Sequence, residues 1–155
     1  MATLRTGHRI GKLGRLRCGC SATIFDDTRQ KILLTRRTDN GRWCLPGGGM
    51  DVGESVTETC EREVQEETGL HVRVTKLIGV YSTPHRLLEY ADGNRWHMVG
   101  FHFAVEVIGG ALTLTDETTE VAYFTRSEIE QLDLMEHHRE RIADAFADQA
   151  EAFIR

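Results

Sequence analysis

The chain has 155 residues, a formal net charge of −5 and 40% hydrophobic residues, length enough to bury one continuous core without disulfide support. No apolar run approaches the ~20 residues that span a bilayer. The opening Met1-Ala2-Thr3-Leu4-Arg5-Thr6-Gly7-His8 lacks the apolar middle of a signal peptide, so a cytoplasmic location is expected, and the acidic balance argues against a bulk nucleic-acid binder.

Residues 1–16 form a basic N-terminal segment. Arg5, Arg9, Lys12, Arg15 and Arg17 occur within residues 1–25 without a single Asp or Glu. The stretch is short and lacks interleaved aromatics, so it reads as a solvated basic edge rather than a nucleic-acid-binding arm. Arg17–Phe25 predicts a strand closed by a turn at Asp26-Asp27. Cys18 and Cys20, two apart, share one face of that strand. No further soft ligands stand at metal-binding spacing, so Cys18, Cys20, Cys44 and Cys60 read as reduced, mostly buried thiols.

Lys31–Arg36 predicts a second strand, ending at the Asp39-Asn40-Gly41 turn. A glycine-rich loop runs from Leu45 to Glu54, and a helix follows with signals at both ends. Ser55 is a good N-cap, Glu58 completes a capping box, and Gly69 stands where a glycine should close the helix. Val72–Ser82, Asn94–Ile108 and Ala111–Thr115 predict strands, with Asp92-Gly93 and Gly109-Gly110 as turns. Val121–Phe124 predicts a short strand. Two helices finish the chain, one starting near Ser127 and an amphipathic one over about His137–Phe153. Strands with helices between and after them predict one mixed α/β sandwich domain over residues 1–155.

The chemistry is concentrated between Gly48 and Leu70. Glu63, Glu66 and Glu67 stand at i, i+3 and i+4, crowding one helix face with like charges that repel. Val56, Cys60 and Val64 lie on an adjoining stripe, so the acidic patch borders the buried face. Carboxylates held together there call for a hard cation such as magnesium or manganese. Gly47, Gly48, Gly49 and Gly53 in the preceding loop let phosphate or metal approach the main chain, and the helix N-terminus offers free N–H groups to an anion. Arg62, four residues before Glu66, can orient a carboxylate with its planar fork. Either feature alone is weak, because acidic helix faces are usually solvated surface; their joint occurrence is the signal.

These residues resemble the signature of the Nudix family, G-x5-E-x7-R-E-U-x-E-E-x-G-U with U a bulky aliphatic residue. Gly48, Glu54, Arg62, Glu63, Val64, Glu66, Glu67, Gly69 and Leu70 meet all nine constrained positions over the 23 residues 48–70, and Trp43-Cys44-Leu45-Pro46-Gly47-Gly48 resembles the usual approach to it. The resemblance implies a Nudix-type α/β/α sandwich around a mixed β-sheet, with the box as loop–helix–loop. It implies that Glu63, Glu66, Glu67 and the carbonyl of Gly48 bind magnesium, with manganese as the alternative. Arg62 would orient the glutamates, and Glu54 would pair with it or reach a metal through water. The implied reaction is metal-assisted hydrolysis of a pyrophosphate bond in a nucleoside diphosphate derivative, ADP-ribose or a nucleoside triphosphate being the leading substrates. The implied partners are that small nucleotide and, since relatives are often dimers, a second copy of the chain, with no membrane or bulk nucleic acid.

The general base stays open. Glu63 and Glu66 are candidates within the box, and Glu117, in competition with Glu120, resembles the downstream glutamate that some relatives use. Arg36 and Arg37 resemble family arginines that contact substrate phosphates, alongside the main chain of Gly47 and Gly48; the bland reading is a surface pair. Tyr81-Ser82-Thr83-Pro84 is similar to the Ser-Pro turn of ADP-ribose-cleaving relatives without its following glycine, and turn chemistry accounts for Pro84 equally well. Tyr90, His85, Trp96 and His97 could stack on a base or simply fill a core. His137-His138 is expected at the surface rather than on a metal. The alternative function is a ligand-sensing module of the same fold that has lost turnover, and a third is another reaction such as isoprenoid diphosphate isomerisation, whose members depart from the full box.

Overall fold

The computed structural model describes residues 2–155. Ten strands and three α-helices follow in the order β1 (Ala2–Thr6), β2 (Arg15–Ile24), β3 (Lys31–Arg37), β4 (Trp43–Cys44), β5 (Gly47–Gly49), α1 (Val56–Thr68), β6 (Leu70–Tyr81), β7 (Arg86–Tyr90), β8 (Arg95–Gly110), β9 (Thr118–Thr125), α2 (Arg126–Glu130), α3 (Glu136–Ala147) and β10 (Phe153–Ile154). A 3-10 turn over Ile10–Leu13 joins β1 to β2.

Seven strands make a mixed sheet in which β1, β7, β8, β2 and β5 lie in that order, with β6 also on β8 and β10 on β6. The central pair, β2 and β8, is parallel over Arg15–Ile24, and β5 pairs antiparallel with β2 through Gly19↔Gly49, Cys20↔Gly48 and Ser21↔Gly47. A second sheet has the order β4, β3, β9. Between the sheets lies α1, whose wholly buried Cys60 and Val64 meet Ala22 and Ile24 of β2, Leu33 of β3 and Phe103 of β8. Ile32 and Leu34, pointing the other way from β3, pack with Ile129 of α2 and Ile142 of α3. This is the expected α/β/α sandwich, and its two cores explain why β3 is apolar on both faces. No helix among the described residues is long and apolar enough to cross a membrane.

The predicted helix is α1, with Ser55 as N-cap, the full capping box to Glu58, and Gly69 left-handed at φ 76° closing it. Three expectations need correction. Ala111–Thr115 is not a strand, nor is Gly109-Gly110 a hairpin turn. Both glycines end β8, paired with His71 and Leu70, and the next segment is held to the end of α1 by the Thr113 N–H on the Thr68 carbonyl. The last helix stops at Ala147, where Asp148 turns left-handed, and the chain returns as β10, parallel to β6. The basic segment is a solvated edge as expected, with Arg5, Arg9, Lys12 and Arg15 exposed. Its first residues are edge strand β1 on β7, with Arg5 paired to Glu89 at 3.0 Å. All four cysteines are free, and Cys20, Cys44 and Cys60 are buried, as expected of structural thiols.

Candidate active site

α1 and β5 bring the predicted carboxylates together because the edge strand's glycines lie directly against the helix. A Cβ on Gly48 would stand only 2.4–2.6 Å from the carboxylate atoms of Glu63. Only a residue without a side chain lets that carboxylate rest on the main chain at this point.

Helical spacing predicts three equivalent glutamates; packing makes them different. Glu67 is buried, with 4% exposure, and accepts the Gly47 N–H at 3.0 Å. Burial pushes its pKa up to about 7, with that hydrogen bond opposing. Burial likewise raises Glu63, opposed by Arg62. Glu66 projects outward, its side chain 57% exposed. Among the described residues the carboxylates are not already gathered into a three-oxygen cage, because two of them are turned to Arg62.

That arginine is the organising cation. It donates to Glu54 at 2.5 and 2.9 Å, to Glu63 at 2.8 Å, to Glu66 at 3.1 Å and to the Gly49 carbonyl at 3.1 Å. The hydrogen bonds from Arg62, with those from the Asp51 N–H and the Thr59 hydroxyl, hold Glu54 down at about 2. A loop glutamate, a helix arginine and two helix glutamates are thus one unit.

The other predicted residues divide. Glu117 lies in the loop before β9, exposed and near enough to raise both Glu63 and Glu67. Glu120 is instead tied to Arg36 at 2.5 Å. Arg36 also donates to the Gly41 carbonyl and is not among the residues lining the main cleft, whereas Arg37 is. A register shift in the pairing with β9 separates the two arginines. Arg37 is held by two hydrogen bonds to Asp39, at 2.8 and 3.1 Å, and its charge reaches Glu67.

The cleft itself, about 210 Å³, runs from Gly47–Gly49 across the sheet to α3. Trp96 and Tyr90 line it, and the Arg17 guanidinium lies over the Trp96 ring, 5.3 Å from its centroid. His85 accepts the Arg9 N–H and His97 packs at Gly11, so these two serve the N-terminal turn. The surface assignment of His137-His138 is overturned. His138 is buried and takes the Leu45 N–H at 3.4 Å, both line the cleft, and burial pushes His137 down to about 3. Sequence reasoning also missed Arg17 and Arg141, which line the same cleft. Arg17 was legible only as part of a basic segment, and nothing in the helical pattern around Arg141 distinguished it from a solvated arginine.

The donors present suit a hard divalent cation. They are carboxylate oxygens plus a main-chain segment stripped of side chain, with no thiolate or imidazole among them.

Residues 16–146 match the NUDIX domain. The chain is 40% identical over 105 residues to an ADP-ribose pyrophosphatase of Methanocaldococcus jannaschii, covering 66% of this chain and 59% of that protein. It is 34% identical over 117 residues to a MutT-like protein of Streptomyces ambofaciens, covering 76% and 64% respectively. The matched part thus spans about three-fifths of the length of these relatives. The fold superposes on a MutT protein from Methanosarcina mazei with a TM-score of 0.71, at 22% identity over 89% of this chain and 98% of that one. A NUDIX hydrolase from Nitrosomonas europaea superposes with a TM-score of 0.69, at 25% identity over 86% and 90%.

Proposed function

Because this chain belongs to the Nudix family, we propose that it hydrolyses a pyrophosphate bond in a nucleoside diphosphate linked to another moiety, with magnesium as cofactor and manganese as a substitute. ADP-ribose and nucleoside triphosphates are the first substrates to test, since relatives carry the names ADP-ribose pyrophosphatase and nucleoside triphosphatase. The observation that carries the reading is Arg62 bonded to Glu54, Glu63 and Glu66 beside a Gly48 whose missing side chain makes room for Glu63. An acidic face that was merely solvated would need neither the buried Glu67 nor the glycine.

The cation, when bound by Glu63, Glu66, Glu67 and the Gly48 carbonyl, supplies positive charge to the pyrophosphate oxygens and makes water a stronger acid. The protein's own part is to hold these oxygens in place. Arg62 fixes the Glu63 and Glu66 carboxylates through its fork, and Glu54 fixes Arg62. Glu67, raised to about 7, must release its proton before it can serve as a ligand. Arg37, which lines the cleft and whose charge reaches Glu67, would meet a phosphate oxygen. Glu117, solvent-facing over the same carboxylates, is the candidate to take the proton of the attacking water, a role worth about 10²–10⁴-fold.

The test is release of phosphate or nucleotide from a panel of ADP-ribose, normal and oxidised nucleoside triphosphates and dinucleoside polyphosphates, with and without magnesium. Wild type should release product only with the metal, and Glu66→Gln and Glu67→Gln should not. Metal-independent release, or variants as active as wild type, would overturn the assignment. Nucleotide binding without turnover by wild type would instead establish the sensor reading.

A further inference from the structure

Across the sheet from the carboxylates, Gly49, Gly19 and Gly100 are register partners on the adjacent strands β5, β2 and β8. They bear no side chains of their own, with the Met98 methyl 3.3 Å from where a Gly19 Cβ would stand, and a guanidinium closes each end. A Cβ on Gly49 would stand 2.4 Å from Arg17 Nη2, and one on Gly100 2.2 Å from Arg141 Nη2. Two strand spacings set these ends ~10 Å apart.

The Arg141 end is electrostatically incomplete. Arg141 comes from α3 and donates to the Ser21 hydroxyl at 2.9 Å. Ser21 in turn bonds His102 Nδ1 at 2.8 Å, and His102 Nε2 meets the Thr23 hydroxyl at 2.8 Å. This relay fixes the guanidinium over the Tyr81 ring, 5.1 Å from its centroid. Yet Arg141 has no carboxylate partner among the described residues, and its Nε is buried without a hydrogen-bond partner, as is His137 Nδ1. Burial lowers Arg141 only to about 10, so it stays charged. Arg86 adds a second positive charge, felt by both Arg141 and His137, and its one carboxylate contact is Glu140 at 3.3 Å. The neighbouring Asp144 is already taken by Arg155 and Tyr81. In a chain of net charge −5, this cleft is lined by four arginines and one aspartate. Glu140, already paired with Arg86, is the carboxylate whose charge also reaches Arg141. One carboxylate shared by two guanidiniums leaves a buried positive charge incompletely compensated, which is costly to the free protein, and the pair around a neutral imidazole calls for an oxyanion as the clustered glutamates call for a cation.

We propose that Arg141, Arg86 and His137 form a second anion site, for a phosphate monoester that the substrate carries at the end remote from the pyrophosphate being cut. Arg141 presents a planar fork matched to two phosphate oxygens, the glycine floor passes the connecting sugar, and Arg86 balances the second negative charge. The inference rests on the nucleotide pyrophosphatase reading for its choice of ligand, and its test is kept apart from turnover.

Binding is measured by calorimetry in EDTA, where hydrolysis plays no part. The probes are ADP-ribose, 2′-phospho-ADP-ribose and ADP-ribose 1″-phosphate, whose added monoester lies on the nucleoside ribose or on the other moiety. Wild type should bind one phosphorylated probe about 10- to 100-fold more tightly than its parent, the contribution of charge-assisted hydrogen bonds, and the tighter probe identifies which half of the substrate enters the cleft. Arg141→Gln and Arg86→Gln should lose that preference, the phosphorylated probes then binding no more tightly than ADP-ribose binds the same variant. Arg141→Lys, which keeps the charge and the packing if the glutamine variant does not fold, should keep only part of it. Equal affinity of wild type for all three probes, or a preference that survives in the Arg141 and Arg86 variants, would overturn the site. Loss of magnesium-dependent release with the preference intact would count against the hydrolase reading instead.

Discussion

Gly48→Ala separates catalytic geometry from stability. The new Cβ would lie 2.4, 2.5 and 2.6 Å from Oε2, Cδ and Oε1 of Glu63, where ordinary contact starts at 3.4 Å. The carboxylate must therefore retreat by about 1 Å. Moving α1 instead is closed off, because Cys60 and Val64 on its inner face are wholly buried. A misplacement of about 1 Å in a group that positions the reaction costs roughly 10²-fold in rate. Gly48 is not among the positive-φ glycines, so alanine brings no backbone strain and Tm should hold within a few degrees. Gly93→Ala is the converse control. It stands at φ 84° with open space around its Cβ, in the β7–β8 hairpin, and should lose about 1 kcal/mol of stability with kcat intact. The assay is magnesium-dependent nucleotide release at saturating substrate, paired with thermal unfolding of each variant. A folded Gly48→Ala protein with wild-type kcat would refute the reasoning, as would a rate loss that only tracks unfolding.

Glu67→Gln should stabilise the metal-free protein while abolishing turnover. The folded pKa, about 7, exceeds the unfolded value of 4.5, so wild-type stability falls as pH rises from about 4.5 to 7 and then levels. At pH 8 in EDTA the variant should gain on the order of 1–3 kcal/mol by denaturant unfolding, and a gain that did not shrink toward pH 5 would contradict the cause. By the same linkage, wild-type magnesium affinity should rise between pH 5 and 7, read by calorimetry. Arg62→Met should release Glu54 from its low value. Wild type has this stabilisation above about 4.5 and loses it as pH falls toward about 2, so the variant's acid-unfolding curve should be flatter there. Arg37→Ala should raise KM, whereas Arg36→Ala, removed from the cleft by Glu120 and Gly41, should leave kinetics unchanged; equal effects from both would dismiss the distinction.

The most legible features were those decided within a few residues. The capping box of Ser55 and Glu58, the closing Gly69 and the carboxylate spacing of α1 are set by hydrogen bonds and helical geometry over one or two turns, and the structure has them where the chain predicts them. Strand β2 and the Asp92-Gly93 turn were readable for the same reason. Ala111–Thr115 misled because an apolar alternation says nothing of whether a partner strand is there, and this segment finds the end of α1. The third helix was overextended because Asp148 turns left-handed while the final residues find β6 as a partner.

Local sequence thus determined that one helix carries Arg62 and the clustered Glu63, Glu66 and Glu67 behind a glycine loop, since period and caps are short-range. Only tertiary structure decided that Glu67 is buried while Glu66 is exposed, that Arg37 rather than Arg36 enters the cleft, and that His137, His138 and Arg141 lie within it. Each of those outcomes depends on which distant element a side chain meets, as Arg141 of α3 comes to lie against Gly100 of β8. Desolvation, and with it the charge a group will bear or seek, arises only when those elements meet.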